Sequence, residues 1–312
     1  MDDLKKLLNM SVAAALKAGL VIMDVYRSND YNIRGKADDS PVTSADIKAD
    51  EVISSLLKIS GLPVLSEEGR HVPYGIRKVW KRFWLIDPLD GTKEFINGTG
   101  EFTVNIALVV DRRPLAGVVY VPVKDILYAG IEGIGSFRFD KASELNITTS
   151  GSSPGETPNF LTEEQVPGTN GCTENTSGSF SWPDMGVPLP SIIKKSYGIV
   201  GSRSFRDDRT SRFIAEFSKR FHDTRIITRG SSLKLCMLAE GEADIYPRFT
   251  NISEWDTAAG HAIVLASGGS VVQAANTDQQ LIYNKEDFLN PWFIGFRNKK
   301  LLKKIKGIIP IT

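Results

Sequence analysis

The chain has 312 residues, 41% of them hydrophobic, with a net charge of +1, enough apolar material to bury a core in one big domain or two closely packed halves. Its basic residues are scattered, so there is no electrostatic footprint for nucleic acid or an anionic membrane, and a small-molecule ligand is expected. Cys172 and Cys236, the only cysteines, form no metal or disulfide pattern, which suits a reducing compartment.

Residues 2–27 place Leu4, Leu8, Val12, Ala15, Gly19, Met23 and Tyr26 at helical spacing, opposite Lys5, Lys6, Lys17 and Asp24. With its charges this stretch reads as a packing helix, neither signal peptide nor membrane span. A polar loop, Lys36 to Asp46, leads into a helix with an apolar face of Ala49, Val52, Ile53, Leu56 and Leu57. Thr43 as N-cap and Asp46 at N3 make a capping-box start, which by itself accounts for Asp46. Pro63 to Leu65 reads as a short strand running into Glu67 and Glu68.

Trp84 to Phe95 is an apolar run ending in Asp87 and Asp90, then a turn into a helix. The two carboxylates are hard oxygen ligands, and Pro88 fixes the backbone so that the Leu89 carbonyl can turn to the same point. Gly91 permits close approach, and the free N–H groups of Gly91, Thr92 and Lys93 at a helix start suit a phosphate. A strand end followed by an ordinary Asp-Gly turn stays open as the alternative.

Phe102 to Val110 and Leu115 to Val121 form an expected antiparallel pair around Asp111–Pro114, and residues 126–131 and 136–139 add strands. From about 146 to 190 the composition turns to Ser, Thr, Gly, Pro and Asn, as in a linker, flap or insertion. The second half resumes with a strand at 197–200, a polar turn and an amphipathic helix to about Phe221. Residues 230–241 predict a helix with a Ser cap and a Gly stop. Lys234 then sits near the positive end of the helix dipole, where a cation is disfavoured unless an anion lies nearby. A strand at 243–249 precedes a helix opening at Trp255. Its Ala258, Ala259, Gly260 and Ala262 allow close packing, Asp256 suits an N-cap, and His261 reads as a packed histidine.

Three carboxylate loops, around Glu67, Asp87/Asp90 and Asp256, thus follow apolar segments. With oxygen ligands and only three histidines, Mg²⁺ is favoured over Zn²⁺, and phosphate chemistry follows.

The segments Leu65-Ser66-Glu67-Glu68, Asp87-Pro88-Leu89-Asp90-Gly91-Thr92 and Trp255-Asp256-Thr257-Ala258-Ala259-Gly260 resemble the inositol monophosphatase superfamily of Mg²⁺-dependent, Li⁺-inhibited phosphatases. Further stretches, among them Ser40–Asp46, Gly100–Leu108, Gly230–Lys234 and Tyr246–Phe249, are similar to its CysQ-type 3′(2′),5′-bisphosphate nucleotidases. The resemblance implies an α/β (α+β) layered αβαβα sandwich of the inositol monophosphatase / fructose-1,6-bisphosphatase type. It divides the chain into residues 1–145 with most metal ligands, a loop-rich insertion at 146–195, and residues 196–312 with Asp256 and the nucleotide side.

By the same resemblance, Glu67, Asp87, Asp90, Asp256 and the Leu89 carbonyl bind two or three Mg²⁺, with Lys36 near the metal shell. The Gly91 and Thr92 amides hold the scissile phosphate, and Thr92 with Asp46 orients a metal-activated water for in-line attack without a phosphoenzyme. Ser202, Ser204, Ser231, Lys234 and Arg248 line the nucleotide side, Phe205 standing where the family often has His. The implied reaction converts adenosine 3′,5′-bisphosphate (PAP) to AMP and phosphate, with PAPS as a second substrate, in the cytoplasm and in support of sulfate assimilation. No stable membrane insertion is expected, and peripheral contact with the inner membrane stays open. An inositol- or sugar-phosphate phosphatase and a non-catalytic nucleotide- or metal-binding module are the alternatives.

Overall fold

A computed structural model describes residues 2–35, 41–70, 72–145, 186–202 and 208–309. The helical spacing at the N-terminus becomes α1 (Asp2–Ser28), and after strands β1 (Arg34–Gly35) and β2 (Pro41–Val42) the capping box opens α2 (Ser44–Leu57). Next come β3 (Val64–Ser66), α3 (Tyr74–Arg77), β4 (Arg82–Asp90), α4 (Thr92–Ile96), β5 (Thr103–Val110), β6 (Arg113–Val121), β7 (Ile126–Ile131), β8 (Gly135–Asp140) and β9 (Val187–Pro188). The second half contributes β10 (Gly198–Gly201), α5 (Asp208–Arg220), β11 (Arg225–Thr228), α6 (Leu233–Glu240), β12 (Ile245–Arg248), α7 (Trp255–Ala266), β13 (Ser270–Gln273), β14 (Phe293–Phe296) and α8 (Lys299–Ile305).

Strands β3 to β9 form a seven-stranded sheet in chain order, parallel between β3 and β4 and antiparallel elsewhere. A five-stranded sheet runs β11-β10-β12-β14-β13. Helices α1 and α2 cover one face of the large sheet, α6 and α7 lie between the sheets, and α5 and α8 close the far side. The layers are αβαβα, as expected.

Period-two alternation explains why β4 and β5 are apolar at successive positions along residues 83–86 and 106–110. Trp84, Ile86, Val104, Ile106 and Leu108 face the core under α1 and α2, while Phe83, Leu85, Ala107 and Val109 face the core shared with the second half. A sheet buried on both faces needs apolar residues at successive positions. Close packing of α7 follows from its small residues and their partners: a Cβ on Gly117 of β6 would lie 2.3 Å from the Ala259 carbonyl, and one on Gly260 2.6 Å from the Leu235 Cβ.

Helix α1 is long and apolar enough to cross a membrane. Its apolar side is nonetheless spent inside the protein, with Val12, Ala14, Ala15, Ala18 and Ile22 fully buried against the core, so the packing-helix reading holds.

Three local expectations shift. The β5–β6 turn needs only Asp111 and Arg112, both at positive φ, and Pro114 already lies in β6 beside a register irregularity that spares its missing N–H. Helix α6 begins at Leu233, and Ser232 at its cap position makes no side-chain capping bond. The last part of the 146–195 segment is docked: β9 extends the large sheet, and the Ile192 amide donates to the Glu240 carbonyl at 2.9 Å. Positions 146–185, with Cys172, lie outside the described residues.

Candidate active site

The parallel pairing of β3 with β4 sends Glu67 and Asp87 to the same sheet edge, and the Glu67 amide donates to the Ile86 carbonyl at 3.2 Å. The β4–β5 register shifts between Asp87 and Asp90, so the chain bends where its acids are needed. From the second half, the first turn of α7 brings in Asp256, whose Oδ2 accepts the Ser253 amide at 2.8 Å. It sits one residue inside the helix, with Glu254 in the cap position. One carboxylate oxygen each of Glu67, Asp87 and Asp256 lies within 4.8 Å of the others.

Asp87 is buried; its Oδ1 accepts the Leu89 amide at 3.1 Å, and its Oδ2 has no hydrogen-bond partner among the described residues. Burial, then the charges of Glu67, Asp90, Asp256 and Asp46, push its carboxyl well above the usual carboxylate range. Asp256 is raised by burial and by Asp90 and Glu67. An orphaned buried carboxylate oxygen among other acids is a donor set that a hard divalent cation fits.

Asp46 serves two partners at once. Its Oδ2 accepts the Thr43 amide at 2.8 Å and the Thr43 hydroxyl at 2.5 Å, while its Oδ1 accepts the Thr92 hydroxyl at 3.1 Å. Capping and a site role are therefore compatible, one oxygen for each. Burial raises its carboxyl, and the bonds from Thr43 and Thr92 pull the other way. The Thr92 hydroxyl is 3.4 Å from the Leu89 carbonyl, so its single proton goes to the nearer Asp46 and its lone pairs are left to accept. Gly91, at φ +94°, holds a left-handed conformation, and a Cβ there would lie 3.2 Å from the Glu101 carbonyl.

Beyond the acids opens a cavity of about 340 Å³ lined by Asp90, Ser202, Ser231, Lys234, Arg248 and Asp256, among others. The Lys234 ammonium donates to the Ser231 carbonyl at 2.5 Å. Burial lowers it to about 8, with Asp90 opposing and Arg248 adding to the fall. Arg248 Nε is buried without a hydrogen-bond partner among the described residues. Lys36, Ser204 and Phe205 lie outside the described residues.

Asp90 stands apart from the triad, its Oδ2 engaged by the hydroxyls of Ser232 at 2.8 Å and Ser231 at 3.0 Å and by Asn105 Nδ2 at 3.4 Å. Sequence reading passed over Ser232, Asn105 and Thr103. The signal was present: Thr103 and Asn105 share one face of a strand that is otherwise apolar, and buried polar groups demand partners.

The sequence model of the inositol monophosphatase family matches residues 3–305. The chain is 38% identical over 283 residues to a 3′(2′),5′-bisphosphate nucleotidase CysQ of Salmonella typhimurium, covering 89% of this chain and 95% of that one. A nucleotidase of the same name from Buchnera aphidicola is 33% identical over 86% of this chain and 84% of its own. The crystal structure of CysQ from Bacteroides thetaiotaomicron superposes with a TM-score of 0.74 at 41% identity, covering 92% of this chain and 95% of that one. With its layered sandwich, its paired sheet-end acids and a match along nearly its whole length, the chain belongs to the inositol monophosphatase family.

Proposed function

We propose that this chain is a 3′(2′),5′-bisphosphate nucleotidase that hydrolyses the 3′-phosphate of PAP to AMP and phosphate in the cytoplasm, with PAPS as a second substrate. The observation that carries this reading is that one cavity is lined by both charges: Asp90 and Asp256 share it with Lys234 and Arg248. A substrate with two phosphates engages both, one phosphate at the acids through metal and the other at the cations. The names and likeness of the CysQ relatives support the same choice.

Glu67, Asp87, Asp90, Asp256 and the Leu89 carbonyl would hold two or three Mg²⁺. The metal supplies charge neutralisation at the transferring phosphoryl group and acidifies water at neutral pH. The chain's own part starts with the Gly91 and Thr92 amides, which hold the scissile phosphate. Thr92 Oγ1, its proton committed to Asp46, accepts a hydrogen bond from the attacking water and fixes its approach. The water oxygen bonds to phosphorus as the bond to the 3′ oxygen breaks, so no residue is phosphorylated. Lys234 and Arg248 bind the 5′-phosphate, which does not react, and Ser202 and Ser231 line the nucleotide side.

The test is phosphate release from PAP, inositol 1-phosphate and fructose 1,6-bisphosphate in parallel, with Mg²⁺ and with chelator. Mg²⁺-dependent release that favours PAP is the expected result. Preference for the inositol or sugar substrate would overturn the nucleotide assignment, and binding of PAP without turnover would overturn the enzymatic one.

A further inference from the structure

The hydroxyl of Ser232 is 2.8 Å from Asp90 Oδ2 and 2.7 Å from the backbone carbonyl of Asp256, and it receives Asn105 Nδ2 at 2.9 Å. Thr103 Oγ1 lies 3.0 Å from Asn105 Oδ1 and 2.5 Å from Ser231 Oγ, and the carboxylate on the other side sets the amide orientation: the flipped amide would face a carbonyl oxygen towards Asp90. Thr103, Asn105 and Ser232 are all buried, so water does not substitute for these bonds. Ser232 makes no side-chain capping bond to α6, the usual use of a serine at that position.

We infer that Ser232, oriented by Asn105, is a positioning residue that sets Asp90 on β4 and Asp256 on α7 relative to one another and thereby tunes the affinity of the acidic group for its metal. The two acids come from different halves of the chain, and this hydroxyl touches both residues. Its one proton is shared between two acceptors of nearly equal distance, while Asn105 fills a lone pair. Deleting it leaves the Asp256 carbonyl without its side-chain donor and removes the shortest of the contacts on Asp90 Oδ2. Partners behind a metal ligand are typically worth about 10- to 100-fold in metal affinity.

The inference rests on the metal reading of the proposed function, and the experiment separates the two. Mn²⁺ binding to the free protein is measured by electron paramagnetic resonance without substrate, for the parent, Ser232→Ala, Thr103→Val and Ser136→Ala. Ser136 is a buried serine on β8 whose hydroxyl has no partner among the described residues, and it serves as the control for hydroxyl loss. Ser232→Ala is expected to weaken Mn²⁺ roughly 10- to 100-fold, with the metal half-saturation of phosphate release moving by the same factor. Thr103→Val, which frees the Asn105 amide to turn, gives a smaller loss of the same sign; Ser136→Ala binds as the parent does. Ser232→Thr, which retains the hydroxyl, recovers binding. Parent-like affinity in Ser232→Ala, or an equal loss in Ser136→Ala, overturns the inference while leaving the metal site intact. Should Ser232→Ala not fold, Thr103→Val decides alone. A parent that binds no Mn²⁺ removes both this inference and the metal reading beneath it.

Discussion

Asp87→Asn should make the metal-free protein more stable while abolishing its response to metal. Asp87 has carboxylate neighbours within 4.8 Å, and two unit charges at that distance repel by about 3 kcal/mol at an effective dielectric of about 20. Asparagine keeps an oxygen for the Leu89 amide and places an N–H donor where Asp87 Oδ2 has no partner. For a chain of 312 residues the unfolding entropy makes 1 kcal/mol worth roughly 1.5 °C, so relieving one such repulsion raises Tm in chelator by about 2–5 °C at pH 8. The sign with pH follows from the raised carboxyl. Its cost to the fold is absent below the unfolded carboxylate range, grows as pH climbs through the folded value, and is full above it. The advantage of the variant therefore shrinks as the medium is acidified. With Mg²⁺ at about 100 times its Kd the parent gains about 2.7 kcal/mol, and the variant gains almost none. Differential scanning calorimetry in chelator and in Mg²⁺, at pH 5 and 8, reads all four states. A lower Tm for Asp87→Asn in chelator at pH 8, or undiminished protection by Mg²⁺, would refute the reasoning.

Thr92→Val should lower kcat for PAP by about 100-fold or more while shifting the Mg²⁺ half-saturation only slightly, because it removes the hydroxyl that in the proposed mechanism links Asp46 to the attacking water; steady-state phosphate release separates the two parameters. Lys234, with its ammonium lowered to about 8, loses its charge as pH rises from 7 to 9, so the KM for PAP should rise across that interval while the KM for inositol 1-phosphate stays flat, and Lys234→Arg should flatten the PAP profile. Gly117→Ala drives a Cβ to 2.3 Å from the Ala259 carbonyl and should cost about 1–3 kcal/mol, read as a lower Tm in calorimetry.

The linear chain carries much of this protein. The alternation in β4 and β5, the helical spacing of α1 and the capping box at Thr43 and Asp46 are local patterns, set by the two-residue and 3.6-residue periods of the backbone. The acids at the ends of β3 and β4 were legible because a carboxylate after a buried strand needs a reason to be there. Residue identity alone did not reveal that Asp46 divides its oxygens between Thr43 and Thr92, nor that Ser232 spans Asp90 and Asp256. The first depends on α2 packing against β4, and the second on α7 closing on β5 and β6, so that Thr103 and Asn105 on one strand find Ser231 and Ser232 more than a hundred positions away. Periodicity and turn chemistry act over a few residues and are written in the sequence. The pairing of buried polar groups across two halves is decided only when packing removes water and leaves each donor few partners within reach.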